Sequence, residues 1–551
     1  MSRLDSLAAA VRQTVSDKGF EVRVLREAGI LGMHRPDKSA KVISAFLRWG
    51  ASPALGITTA AIHYPHEIAL IDERGSLSFE RLHRRTNALA DSFAQMGIGH
   101  GDGVGIMCRN HRGFVEATLA AAKLGASALY LNTMFAGPQL VEVTSREKPK
   151  ALVYDSEFAG LLDGVEGSVA RVVGWVEEGE EPAEPTLEQL IAAGSEENHR
   201  PPPDKPRFVI LTSGTTGTPK GAQRSSPDGL LSIAALIDKI PFRSRETMMI
   251  AAPLFHSWGF FHFIMSLPTA STMVLRRRFD PEGTLQAVQE SRAEVLAVVP
   301  VMIQRILDLP EETLARYDLS SLRITSLSGS ALPGELAIAW MDRFGDTAYN
   351  LYGSTEVAYA TVATPEDLRD APGTAGKPPR GTTVRIVDDA GRELPHGEVG
   401  RIFVGNEMSF EGYTGGGGKE SIDGLLSSGD VGHIDAAGHL FIDGRDDEMI
   451  VSGGENVFPR EVEDLLADHE AVTEVAVIGV EDSEFGQRLK AFVVLKEGGE
   501  TGEDELKAHV KANLAGYKTP REVEFLDELP RNATGKVLKR DLRQRETQQS
   551  A

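Results

Sequence analysis

The chain has 551 residues and carries 80 Asp and Glu against 58 Lys and Arg, a formal charge of −22. That balance argues against a nucleic-acid backbone as partner, which needs clustered cations, while the length allows several folding units with ample core. A single cysteine, Cys108, excludes an intrachain disulfide and a cysteine-rich metal site.

Residues 1–55 read as helical with scattered Arg and Lys, a preamble expected either to dock elsewhere or, more simply, to cap the main domain. From Ala69-Leu70-Ile71-Asp72 a hairpin through Gly75 leads into a helix over Ser78–Met96, where Leu82, Leu89 and Phe93 recur at helical spacing. The glycines of 97–105 never satisfy G-x-G-x-x-G and read as a turn before a strand over 104–108. Cys108 ends that strand as an inert buried thiol. A helix over Phe114–Leu124 and further strand–helix alternation to Asp155 predict a doubly wound sheet. His63, His66 and Glu67 lack the H-E-x-x-H spacing of a zinc site. Residues 176–205, with Glu177, Glu178, Glu180, Glu181 and Pro201–Pro203, read as a solvated linker.

The next stretch organises the rest. Phe208-Val209-Ile210-Leu211 is wholly apolar, as a buried parallel strand should be. It breaks into Thr212-Ser213-Gly214-Thr215-Thr216-Gly217-Thr218-Pro219-Lys220-Gly221. Glycines let backbone N–H groups approach a ligand, hydroxyls add donors, and Lys220 supplies a point charge for phosphate oxygens. The spacing is not that of a Walker motif, which ends Gly-Lys-Ser/Thr and opens a helix. A polyphosphate cradle is expected here.

Twice more a strand ends in a polar turn. Ile324–Leu327 runs into Ser328-Gly329-Ser330-Ala331, and Thr347–Leu351 into Tyr352-Gly353-Ser354-Thr355-Glu356. In parallel α/β sheets ligands sit beyond strand carboxyl ends, so the three ends are expected to converge on one nucleotide. Residues 372–443 hold short strands (Thr383–Val387, Arg401–Val404, His439–Ile442) that suggest a small barrel. Gly444–Asp447 is a charged break, placed as the boundary to a compact α+β segment ending in Arg531-Asn532-Ala533-Thr534-Gly535-Lys536. The fold class expected is α/β: a large N-terminal domain (56–443) of doubly wound sheets plus a small β-barrel, a 444–447 hinge, and a small mobile α+β C-terminal domain (448–551).

Taken one at a time, the chemistry-bearing residues have ordinary readings. Glu356 suits a magnesium ligand beside phosphates or a plain helix start. Tyr352 suits adenine stacking or core; Asp430, in Ser428-Gly429-Asp430, suits ribose hydroxyls or an Asx turn. Arg445, His256 and Lys536 likewise read as surface ion pair, core histidine and solvated lysine.

Their order along the chain decides. Thr212–Gly221, Pro253–Gly259, Tyr352–Glu356, Gly397–Asn406, Ser428–Gly432, Gly444–Asn456 and Pro530–Lys536 together resemble the successive motifs of the adenylate-forming superfamily of acyl-CoA synthetases, adenylation domains and luciferases. The resemblance implies that Thr212, Ser213, Gly214, Thr215, Thr216, Gly217 and Lys220 hold the β- and γ-phosphates. Gly329, Ser330 and Ala331 line the adenine on which Tyr352 stacks, beside Gly353 and Ser354. Thr355 touches the α-phosphate, Glu356 binds Mg²⁺, and Asp430 and Arg445 take the ribose. Lys536 bridges carboxylate and α-phosphate; the small domain then turns about Asp447 to present Gly453 and Gly454 beside a pantetheine tunnel. His256 or Trp258, with Gly259, gates acyl entry. Leu425-Leu426 stands where relatives often carry tryptophan, and Gly415–Gly418 replaces an Asn/Pro turn. These departures resemble fatty-acyl-CoA synthetases of the actinobacterial type.

The expected function is an ATP-dependent acyl-CoA synthetase for a medium- or long-chain fatty acid, using ATP, Mg²⁺ and coenzyme A. The alternatives are an acyl-AMP ligase loading a carrier protein and an aryl- or other carboxylate–CoA ligase. A luciferase-like oxygenase shares all these motifs and stays open, whereas Glu356, Asp430, Arg445 and Lys536 together argue against a nucleotide sensor, and no G-x-S-x-G elbow supports a hydrolase. No signal peptide or apolar run of membrane-spanning length is read, so a cytoplasmic location is expected, with peripheral membrane contact left open.

Overall fold

The computed structural model describes residues 16–31, 36–50, 52–203, 207–212, 220–224, 230–408, 410–413, 418–448, 450–452, 455–457, 459–482, 486–514, 516–532 and 535–549. Two mostly parallel sheets form its body. The first has eight strands in the order Thr361–Ala363, Ala348–Tyr352, Ile324–Leu327, Val295–Val298, Thr247–Ile250, Thr272–Leu275, Ile68–Asp72 and Gly75–Ser78. Its inner strands run parallel and its two edge strands antiparallel. The inner strands are apolar because helices cover both faces; Val295, Leu296, Ala297 and Val298 are all fully buried.

The second sheet has seven strands in the order Phe410–Tyr413, Lys220–Arg224, Phe208–Thr212, Ser127–Tyr130, Gly103–Met107, Ala151–Asp155 and Ala170–Trp175. Between the sheets lie amphipathic helices such as Phe79–Gln95, where the Ser78 hydroxyl caps Arg81 N at 3.2 Å. Leu82, Leu89 and Phe93 bury as their spacing requires. Cys108 is sealed in the core, where burial and then the nearby Asp155 charge push its thiol well up. It lies with His111 and Asp155, but His111 already bonds Asp155 through Nε2 at 2.8 Å and accepts Gly113 N–H at Nδ1. The cluster is a structural knot, and the thiol is inert as expected.

The N-terminal helices cap this body. Residues 16–27 bury Phe20, Val24 and Leu25 in the main core, and helix Pro36–Trp49 lays Ala45 and Trp49 on helix Pro53–His63. No helix among the described residues is long and apolar enough to cross a membrane.

Residues 383–445 form a five-stranded antiparallel sheet in which the long strand Leu425–Ile434 pairs with Gly400–Gly405, Ser421–Ile422 and Leu440–Arg445. The sequence suggests a barrel here; among the described residues no strand pairing closes one. Residues 450–549 make a fourth sheet with its own core. Successive residues of strand Val472–Asp482 feed opposite faces, Val477 toward helices Pro459–Ala467 and Glu503–Asn513, Ile478 toward Leu542 of the last helix.

Candidate active site

Three sheets meet at the segment after strand Ala348–Tyr352. Glu356 accepts the Tyr413 hydroxyl on Oε1 at 2.6 Å and the Ser354 hydroxyl on Oε2 at 2.9 Å. Burial alone would raise its pKa, but these bonds and the nearby Lys419 charge bring it below the ordinary carboxylate value. It is therefore an ionised, oriented oxygen donor, the chemistry a magnesium ligand requires. Tyr413 belongs to the second sheet: its strand pairs Phe410 with Arg224 and Tyr413 with Ala222.

That neighbouring strand follows the segment expected to cradle phosphates. Thr212 and Lys220 face each other across an antiparallel hairpin, with Leu211 opposite Gly221. The apolar run before the loop forms its strand as read. Ser213, Gly214, Thr215, Thr216 and Gly217 lie outside the described residues, as do Gly453 and Gly454. Glu356 and the two ends of the expected phosphate loop are thus joined by one hydroxyl and two strand pairings.

The antiparallel sheet supplies the other side. Asp430 and Arg445 are cross-strand partners, with Arg445 Nη1 donating to Oδ1 at 3.1 Å. Tyr352 donates its hydroxyl to Oδ2 at 2.5 Å. Burial, then the Asp430 charge and bond, push that phenol well up, so it stays a donor. Asp430 N in turn donates to Ser428 Oγ at 3.1 Å. Gly329, Ser330 and Ala331 follow strand Ile324–Leu327 in the turn beside this segment, with Gly329 at φ +94°.

Helix Ser257–Ser266 bounds the apolar flank. His256 is its N-cap, its ring tilted at 42° against Phe255, with Nε2 buried and unpartnered among the described residues. Burial holds this imidazole neutral, its pKa down to about 4. The Trp258 indole N–H donates to Val298 O at 3.1 Å and Ser326 O at 3.2 Å, so the ring is pinned to two strand ends. Phe261 stacks parallel to it at 5.5 Å. Gly259 is required by close approach: a Cβ would stand 2.3 Å from Pro253 O.

Lys536 lies exposed on a turn clasped by Arg531 pairing with Val537, and Lys536 N donates to Asn532 Oδ1 at 2.9 Å. The turn lies against the first sheet's layer: a Cβ on Gly535 would stand 2.2 Å from Val301 Cγ1, in the helix following strand Val295–Val298. Asp447 falls in the short 3₁₀ turn Asp446–Glu448 directly after Arg445. Two contributors were not singled out from the sequence. Tyr413 sits in a Gly-Tyr pair before the glycine run, and Asn406 ends the Gly397–Asn406 motif; only their spacing from glycines hinted at either.

Comparison with known proteins decides the family. The AMP-binding enzyme family matches residues 57–414, and the AMP-binding enzyme C-terminal domain matches 461–536. The chain belongs to the AMP-binding enzymes. Its relatives include acyl-CoA ligases, and like them it is an AMP-forming acid–thiol ligase that uses ATP, Mg²⁺ and CoA. It is 34% identical over 495 residues to a feruloyl-CoA synthase from Amycolatopsis, covering 87% of this chain and 96% of that protein. It is 32% identical over 497 residues to the indoleacetate–CoA ligase of Aromatoleum aromaticum, covering 87% and 95%. Among solved structures it resembles an anthranilate CoA ligase in complex with anthranoyl-AMP, with TM-score 0.80, 25% identity, and coverage of 91% and 98%.

Proposed function

We propose that this AMP-binding enzyme activates a ring-bearing carboxylic acid, aromatic or alicyclic, and transfers it to CoA. The observation that carries the acid class is the pinned Trp258. An indole held by two backbone carbonyls, backed by Phe261 and only 6% exposed is a fixed wall, which favours a rigid ring over a long flexible chain that needs it to swing aside. The names of the relatives lean the same way, toward ferulate, indoleacetate and 2-succinylbenzoate. One relative, 29% identical, is named a fatty acid–[acyl-carrier-protein] ligase, which keeps the fatty acid and the carrier-protein acceptor as the second reading.

In this reading Thr212–Gly217 and Lys220 hold the β- and γ-phosphates, and Thr355 meets the α-phosphate. Gly329, Ser330 and Ala331, with Tyr352, Gly353 and Ser354, frame the adenine, while Asp430 and Arg445 take the ribose. Glu356 would hold the magnesium ion, which supplies charge neutralisation at the phosphates. A carboxylate oxygen of the acid attacks the α-phosphorus, pyrophosphate leaves, and Lys536 stabilises the negative charge shared by the two reacting anions. The domain after Asp447 then turns, withdrawing Lys536 and bringing Gly453 and Gly454 to the pantetheine arm. The CoA sulfur attacks the acyl carbonyl carbon, and AMP leaves. His256, neutral and with a free Nε2, is better suited than the fixed Trp258 to move at the acyl entrance. Pyrophosphate release from a panel of ring and straight-chain acids, with and without CoA, tests the proposal. Faster turnover of straight-chain acids than of every ring acid overturns it.

A further inference from the structure

Ala358 has φ +62°, a left-handed backbone that L side chains rarely adopt, and it stands two residues after Glu356. Such a conformation persists only where its surroundings impose it. Here a single amide does so. Asn406 Nδ2 donates to Val357 O at 2.8 Å and to Tyr359 O at 2.8 Å, the carbonyls on either side of Ala358. Asn406 Oδ1 accepts Met408 N–H at 2.8 Å, which fixes the way the amide faces.

The rest of the loop closes around this point. Ala360 N donates to Tyr352 O at 2.8 Å, and a Cβ on Gly353 would lie 2.2 Å from Ala358 O. Val357 and Tyr359 are buried at 3% and 5% exposure. Residues 353–358 therefore make a short closed bow whose outer arc carries Thr355 and Glu356. Asn406 follows strand Gly400–Gly405, which pairs with the strand bearing Asp430. The amide thus couples the loop of the magnesium carboxylate to the sheet of the ribose carboxylate.

We propose that Asn406 is a positioning residue for adenylation. By bridging the carbonyls of Val357 and Tyr359 it holds the left-handed turn at Ala358, and that turn sets where Thr355 and Glu356 point. Without the bridge the turn relaxes toward the right-handed region and carries Glu356 out of register with the phosphate loop. The inference rests on the adenylate-forming reading of the site.

The test uses the full chain and two readouts. In the ligand-free protein, amides of residues 354–360 should exchange with solvent at least ~10-fold faster in N406A than in the wild type. In the enzyme, acid-dependent pyrophosphate release should lose about 30-fold in kcat and need more Mg²⁺ for half-maximal rate, with KM for the acid within about twofold. A358G, which removes the cost of the left-handed turn, should restore most of that loss when added to N406A. Unchanged exchange at 354–360, or no recovery in the double variant, overturns the proposal. Should N406A not fold, N406D keeps the size and the bond to Met408 N but loses the bridging donors, and the same losses are expected of it. Unchanged exchange and Mg²⁺ dependence in N406D would equally overturn it. A wild-type chain that releases no pyrophosphate with any acid refutes the adenylating reading instead, and the exchange comparison still judges the clamp.

Discussion

The Tyr413 hydroxyl lies 2.6 Å from Glu356 Oε1, and this bond joins two sheets that otherwise present separate edges to the site. Tyr413 is paired with Ala222 on the return strand of the proposed phosphate loop, so any shift of that hairpin is felt at the carboxylate. A hydrogen bond to a charged group contributes about 1.5–3 kcal/mol, which converts to roughly 10- to 100-fold in an equilibrium. Tyr413→Phe is therefore expected to raise the Mg²⁺ concentration for half-maximal pyrophosphate release by about tenfold or more. An unchanged magnesium midpoint in that variant would mean the bond is incidental.

Asp430 poses a sharper question, because both its oxygens are engaged before any ribose arrives, one by Tyr352 and one by Arg445. Removing the carboxylate leaves a buried phenol and a guanidinium without this partner, and unpaired buried groups are costly. Asp430→Ala is expected to weaken AMP binding by about tenfold or more, read by calorimetry. Tyr352→Phe, which keeps the ring and frees Oδ2, should cost no more than about threefold if the ring is what serves adenine. Equal losses in the two variants would assign Tyr352 to holding Asp430 and not to stacking.

Much of this was legible in the residues, and the reason is physical. Strand Ile324–Leu327 is buried along its whole length and the run Phe208-Val209-Ile210-Leu211 is wholly apolar, so the polar turns that follow them stand out. Helix Phe79–Gln95 announces itself by period and cap, and Pro459–Ala467 by its leading proline and period. What did not show was pairing across the chain. Nothing local to Tyr413 or Asn406 says that one will find Glu356 and the other Val357 and Tyr359, because those contacts span 57, 49 and 47 residues. The resemblance offered His256 or Trp258 as an acyl gate, and nothing local shows that the Trp258 indole is held by two carbonyls from strands 40 and 68 residues further on. The acid class went with it, since a pocket assembled from distant segments has no linear signature.

Lys536 carries a prediction about half-reactions. Its turn rests against Val301, within the segment that the AMP-binding enzyme family matches, and its side chain is exposed. A lysine needed for only one of two steps makes mechanical sense on a segment that moves between them. Lys536→Ala is expected to reduce acid-dependent pyrophosphate release by about 100-fold or more, while conversion of supplied acyl-AMP and CoA to thioester stays within about threefold of wild type. Equal loss of both half-reactions would show that the lysine serves a posture common to both.

The final expectation concerns acid. His262 is fully buried, donates Nδ1–H to Trp258 O at 3.0 Å, and is ringed by Trp258, Phe242 and Phe261. Burial, partly opposed by that backbone bond, lowers its pKa from 6.5 to about 4. Between those values the unfolded chain takes up a proton that the folded imidazole refuses, so stability falls as pH falls through the window. By pH 5 the loss from this one group is about 2 kcal/mol, enough to lower the melting temperature by a few degrees. His262→Phe keeps a ring of similar shape and removes the titration, so its melting temperature should drop less between pH 7 and pH 5 than that of the wild type. Parallel pH profiles for the two proteins would show that His262 is not held neutral in the fold.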